Sequence, residues 1–259
     1  VPKFSANLSF LYQDLPFLDR FGAAAKDGFR ALEYLGPYAE PKEKVAEALQ
    51  ASGLKQALFN VPSGDWAAGE RGIACLPDRI EEFRSGVSLA LDYAEALACE
   101  QVNVISGLVP RGPDLGTLEE VLVENLKYAA QRCADAGIKL LIEPINLRDI
   151  PGFFLSTTDH AERILEKVGS DNLYIQYDFY HMQIMQGDLI PTFTRLEDRI
   201  AHVQIADNPG RNEPGTGEIN YGFVLSELDR LGYDGWVGCE YKPKARTSEG
   251  LGWMNPYRK

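Results

Sequence analysis

The run IKLLIEP (138–144) decides the fold once it is set beside LYIQYDFYH (173–181), IAHVQIAD (200–207) and GWVGCEY (235–241). Each is a short β-rich apolar run that closes on a polar side chain: Glu143, Asp178, Gln204 and Glu240 in turn. Three of these are carboxylates and the fourth offers a neutral amide oxygen. A carboxylate at the mouth of an apolar strand is costly to desolvate unless it is paired or bound to metal, so the quartet reads as a site for a hard divalent cation.

Working outward, four earlier runs have the same β-rich character: SANLSFLY (5–12), ALEYLG (31–36), QALFNVP (56–62) and QVNVISG (101–107). Helical patterns lie between most of the eight, among them PFLDRFGAAAKDG (16–28), EPKEKVAEALQASG (40–53), the long runs at 77–99 and 115–137, and TTDHAERILEKVG (157–169). Gly28, Gly53, Gly137, Gly169 and Gly232 mark helix ends, where the chain turns left-handed before the next strand. This unbroken alternation, with no Ser-rich linker or low-complexity tract, predicts an α/β fold with a single TIM (β/α)8 barrel domain over residues 1–259.

Strand alternation makes the quartet convergent. Residues two apart share a face, so Glu143 goes with Leu141, Asp178 with Gln176, Gln204 with His202, and Glu240 with Gly238 and Lys242. All four then point inward from consecutive strands five to eight. All-oxygen ligation favours Mg²⁺ or Mn²⁺, whereas zinc or copper would more often be held by His or Cys. His202 is expected to support the site from the barrel interior, and His181, just past the sixth strand, to donate a hydrogen bond to a substrate oxygen.

Two loops are longer than a simple barrel needs, PSGDWAAGERGIACL (62–76) and DNPGRNEPGTGEIN (207–220). Both leave the C-terminal ends of strands, where barrel active sites are built, and are candidate lids. Arg71, Arg211 and Lys242 are the cations placed to meet an anionic substrate. The arginines are preferred, because their planar fork can grip a carboxylate with two parallel hydrogen bonds.

A net charge of −12 argues against a nucleic-acid partner or an anionic membrane and favours a small-molecule partner. The four cysteines, Cys75, Cys99, Cys133 and Cys239, show no C-x-x-C spacing in a chain too large to need disulfide staples. With no bilayer-length apolar run, a cytoplasmic protein is expected. Association between copies of the chain is left open.

The residues IEPIN, QYDFYHMQ, HVQIADNPGRNEPGTGEINY and GCEYKP, with SANLSFLY and GDWAAGERGIACLP, resemble the hydroxypyruvate isomerase family of the xylose-isomerase-like TIM-barrel superfamily. The likeness covers nearly the whole chain. It implies that Glu143, Asp178, Gln204 and Glu240 hold the metal, that Glu143 and Glu240 also move protons, and that His181 and Arg211 contact substrate oxygens. Ketose 3-epimerases of the superfamily carry His at the third ligand position, and Gln204 departs from that pattern.

The implied reaction interconverts hydroxypyruvate and tartronate semialdehyde (2-hydroxy-3-oxopropanoate) by proton transfer through an enediolate. The nearest alternatives are a 2-oxo-tetronate isomerase or a ketose 3-epimerase using the same residues. A metal-dependent nuclease is remote, because such sites are multi-zinc and His-rich whereas this chain has three His. A non-catalytic sugar-binding barrel would leave the two flanking glutamates without a purpose.

Overall fold

The computed structural model describes residues 2–258. Eight parallel strands close into a barrel in sequence order. They are β1 (Lys3–Asn7), β2 (Ala31–Tyr34), β3 (Lys55–Asn60), β4 (Gln101–Val104), β5 (Lys139–Ile142), β6 (Leu173–Asp178), β7 (Ile200–Ile205) and β8 (Trp236–Cys239). Around them lie α1 (Asp19–Lys26), α2 (Lys42–Ser52), α3 (Ile80–Leu97), α4 (Leu115–Asp135), α5 (Thr158–Val168), α6 (Phe179–Met185), α7 (Leu189–Leu196) and α8 (Tyr221–Arg230). The predicted α/β barrel is therefore the observed one.

Helix boundaries follow local chemistry. Asp114, Thr157 and Asn220 cap α4, α5 and α8 by accepting a backbone N–H from the first turn. At the other ends Gly53 and Gly169 take left-handed backbone at φ 69° and 65°, which releases the chain toward the next strand. The other three predicted helix-end glycines also have positive φ.

The strands are shorter than their β-rich runs. SANLSFLY stops being strand at Asn7, and ALEYLG and QVNVISG stop at Tyr34 and Val104. Beyond those points Leu8, Leu11, Tyr12 and Ile105 remain buried, so hydrophobicity continues after two of these three strands end. His181 falls just past a strand as expected, but within the first of two short helices, α6 and α7, that the sequence pattern does not reveal. Asp178 both ends β6 and caps α6, accepting from Tyr180 N at 2.7 Å.

The strands are apolar on only one face. Val102, Leu140, Ile142, Ile175, Val203, Ile205 and Val237 are buried in the core, and the residues alternating with them along their strands point to the barrel axis. That inner set is largely polar: Ser5, Asn7, Glu33, Asn103, Gln176, Asp178, His202 and Gln204 are all 1% exposed or less. An ordinary barrel fills this space with branched apolar side chains. Here a hydrogen-bonded polar column runs up the axis, and the quartet is its upper end.

Candidate metal centre and active site

The strand register delivers the quartet to one end of the barrel. Asp178 of β6 sits beside Gln204 of β7, which sits beside Gly238 of β8. Glu143 and Glu240 follow directly on β5 and β8. All four side chains are buried, at 5% exposure or less.

Three carboxylates in so small a space oppose one another's ionisation. Burial first, then Glu240 and Asp178, push the proton affinity of Glu143 well above the usual carboxylate range. Burial likewise raises Asp178 to about 6, although Arg211 and the backbone N–H groups of Tyr180 and His181 pull the other way. Glu240 is raised to about 8 by burial and by the charges of Asp178 and Glu33, against the pull of Arg211. Asp178 Oδ2 is buried without a hydrogen-bond partner among the described residues. An orphaned buried oxygen beside two further proton-hungry carboxylates is what a divalent cation would satisfy.

Glu143, Asp178 and His181 bring their donor atoms within 4.8 Å of one another, a cluster that could itself hold a metal. The hydrogen bonds of His181 argue for a different role. Asn146 Oδ1 accepts from Asp149 N at 2.7 Å, which turns the Asn146 Nδ2 toward His181 Nδ1 at 2.6 Å. The Asn146 backbone N–H also points at this nitrogen, from 3.4 Å. With donors on Nδ1, the ring proton sits on Nε2. Burial and Arg211 hold the ring's proton affinity well below the ordinary histidine value, so it stays neutral. Its Nε2–H faces Glu143 Oε1 at 3.7 Å and Asp178 Oδ2 at 3.6 Å, too far for hydrogen bonds and open to a ligand oxygen between them.

Gln204 is held at both ends of its amide. Its Nε2 donates to Glu33 Oε1 at 2.8 Å and to Glu240 Oε2 at 2.7 Å, while its Oε1 accepts from Gln176 Nε2 at 2.8 Å. The amide oxygen expected to face a cation is thus already paired with a neighbouring amide.

Arg211 lies over the site with its guanidinium between the rings of Phe10 and Tyr180, at 4.7 and 5.1 Å. It donates to Glu240 Oε1 at 2.5 Å and reaches Asp149 at 3.5 Å, and its Nε has no hydrogen-bond partner among the described residues. Its backbone is left-handed, at φ 54°, a conformation costing a non-glycine residue about 1–2 kcal/mol. The bond from Lys242 N to Arg211 O at 2.7 Å helps to fix it there. Strain of this kind, held in place at a site, accompanies function.

The other two predicted substrate cations are placed differently. Arg71 stacks on Trp66 at 4.3 Å and donates to the carbonyls of Trp66 and Glu70, so its described contacts lie within its own loop. The Lys242 side chain is exposed, beyond the end of β8. Both predicted lids are tied down: Gly72 pairs with Ser106, and Asp207 accepts from the backbone of Asn208, Gly215, Gly217 and Ile219.

His202 supports the site from below as expected, with Nε2 at 2.9 Å from Glu33 Oε2. The residues that sequence reasoning missed are Asn7, Glu33, Asn103, Asn146 and Gln176. All but Asn146 sit at alternating strand positions between apolar neighbours, a period-two polar signal that is legible in principle.

Residues 21–257 match the family model for the xylose isomerase-like TIM barrel. Hydroxypyruvate isomerase of Escherichia coli K12 is 52% identical over 256 residues, covering 99% of each chain. 2-Oxo-tetronate isomerase of Cupriavidus necator is 49% identical over 257 residues, again 99% of each. The crystal structure of a Brucella melitensis protein named AP endonuclease, family 2, superposes with a TM-score of 0.97 at 45% identity over 100% of both chains. Matched from Phe21 onward and along almost its full length, the chain belongs to the xylose isomerase-like TIM barrel family.

Proposed function

We propose that the chain is a metal-dependent isomerase that interconverts hydroxypyruvate and tartronate semialdehyde by moving a proton between adjacent carbons. The observation that carries this reading is the burial of three mutually repelling carboxylates, two of them glutamates, one of which, Asp178, leaves its Oδ2 unpartnered among the described residues. The similarity to the two isomerases supports the same chemistry.

Glu143, Asp178, Gln204 and Glu240 would hold Mg²⁺ or Mn²⁺. Glu143 and Asp178 lie close enough to share such an ion; Glu240, whose oxygens now accept from Arg211, Gln204 and Asn7, would turn one of them to it, and Gln204 would join by sharing the oxygen it now offers to Gln176. The ion supplies Lewis acidity that favours loss of the carbon-bound proton. Glu143 and Glu240 both have raised proton affinity, which suits residues that take a proton from one carbon and return it to the next. The neutral His181 donates its Nε2–H to a substrate oxygen as charge develops there. Arg211 offers its fork to the substrate carboxylate, in preference to Arg71 and Lys242 at the rim, because only Arg211 is seated against the quartet.

A buried guanidinium favours an anionic acid over a neutral ketose, and a four-carbon 2-oxo-tetronate is the nearest competing substrate. A panel of hydroxypyruvate, 2-oxo-tetronates and ketoses, each with and without chelator, tests the assignment. Turnover only on the four-carbon acids or on ketoses would replace the three-carbon reading. The AP endonuclease name of the Brucella relative raises a nuclease reading, which a salt-dependent DNA-binding titration tests; the charge of −12 predicts no binding.

A further inference from the structure

Building on the isomerase reading, we propose that Glu33 of β2 is a positioning residue of this site: its carboxylate sets the orientation of the Gln204 amide and, through Gln204 and Asn7, the placement of the Glu240 carboxylate. Glu33 is fully buried on the barrel axis, below the quartet. Four side chains aim donors at it: Ser5 Oγ at 2.5 Å, His202 Nε2 at 2.9 Å, Gln204 Nε2 at 2.8 Å and Asn7 Nδ2 at 3.2 Å.

The barrel makes room for this carboxylate. A Cβ added at Gly238, on β8 with only β1 between it and β2, would lie 2.3 Å from Glu33 Oε1. Glycine at 238 is therefore a condition for a glutamate at 33. With four donors converging on its two oxygens, this carboxylate serves as the acceptor at the centre of the polar column.

An amide at a strand end has two orientations related by a half-turn. Gln204 Nε2 lies within 2.8 Å of Glu33 and 2.7 Å of Glu240, so the flipped orientation would set its oxygen against two carboxylates. Glu33 therefore drives the amide oxygen to the opposite side, toward Gln176 and the face of the site that Glu143 occupies. Asn7 repeats the device: one Nδ2 donates to Glu33 Oε1 at 3.2 Å and to Glu240 Oε2 at 2.8 Å. Glu240 Oε2 is thus held by two amides, and Glu33 orients both.

The test compares wild type with Glu33→Gln and Gly238→Ala. Mn²⁺ affinity is read from the paramagnetic resonance of free Mn²⁺, kcat and KM are taken with hydroxypyruvate, and Tm is measured in parallel. Partners that orient metal ligands typically contribute about 10–100-fold to metal affinity or activity. Glu33→Gln is expected to weaken Mn²⁺ binding and lower kcat by about tenfold or more, with KM changed far less. Gly238→Ala, which alters no ligand side chain, is expected to change the same quantities in the same direction. Ser5→Ala, which removes the 2.5 Å hydrogen bond, gives a milder version if Glu33→Gln does not fold. A lowered Tm with Mn²⁺ affinity and kcat within about twofold of wild type would reduce Glu33 to a core stabiliser and overturn the proposal, since a positioning partner is worth more than that. Wild-type protein that neither binds Mn²⁺ nor turns over any of the acids would overturn the isomerase reading first, and the role of Glu33 with it.

Discussion

The side-chain amide of Asn146 lies 2.6 Å from Nδ1 of His181, and the amide's other end is fixed by Asp149 N at 2.7 Å. That pair of contacts places the imidazole proton on Nε2, so His181 is a donor to the site and not a lone-pair ligand. In Asn146→Asp, a carboxylate would instead accept from Nδ1–H and favour the other tautomer. The ¹⁵N shifts of His181 should exchange their pattern, and kcat should fall about tenfold or more. An unchanged ¹⁵N pattern would show that something other than Asn146 sets the tautomer.

Glu143→Gln and Glu240→Gln preserve shape and remove a proton carrier. Each should leave the circular dichroism spectrum unaltered and lower kcat by about 10² or more, the usual range for lost acid-base catalysis. Near wild-type turnover in either variant would take that residue out of the mechanism.

Metal removal follows from the donor set. Dialysis against chelator should abolish isomerase activity, and Mg²⁺ or Mn²⁺ should restore it while raising Tm, because a ligand bound only by the folded state stabilises it by mass action. Full activity in protein shown by elemental analysis to be metal-free would exclude a metal role.

Stability of the metal-free protein should fall as pH rises. Asp178 and Glu240 titrate at about 6 and about 8 in the fold, against about 4 in an unfolded chain. Between these limits the folded state binds more protons than the unfolded one, so stability from these groups is complete below about pH 4 and is lost as pH passes 6 and then 8. Calorimetry of chelated protein from pH 5 to 9 should show the decline, and Glu240→Gln should flatten its alkaline part. A slope identical in that variant would sever the link to Glu240.

Arg211→Lys replaces a planar fork with a point charge. If Arg211 receives the substrate carboxylate, KM for hydroxypyruvate should rise by about tenfold, in line with a charged hydrogen bond worth about 1.5–3 kcal/mol. KM for a neutral ketose should move less. Equal effects on both substrates would assign Arg211 to holding Glu240 alone.

Much of the fold is legible along the chain. The eight runs and the helices between them have local periods, and the four polar residues that close the later runs fall within one position of a true strand end. Strand length is less legible, because buried loop residues look like strand to a hydrophobicity reading: Leu8 and Leu11 are fully buried yet lie beyond β1. His202 announces itself as an interior support, and Glu33 inside ALEYLG is marked as inward-facing by its apolar neighbours Leu32 and Tyr34, but nothing local to it names His202 as its partner.

The sequence by itself determined the barrel and the convergence of four polar ends, because alternation and burial depend on near neighbours. Only the tertiary structure decided what each polar group does. Glu33 meets His202 across 169 positions of sequence, and Asn7 meets Glu240 across 233. Hydrogen-bond direction is set by such partners, which come from the first and last strands and become neighbours only when β1 pairs with β8 and the sheet closes.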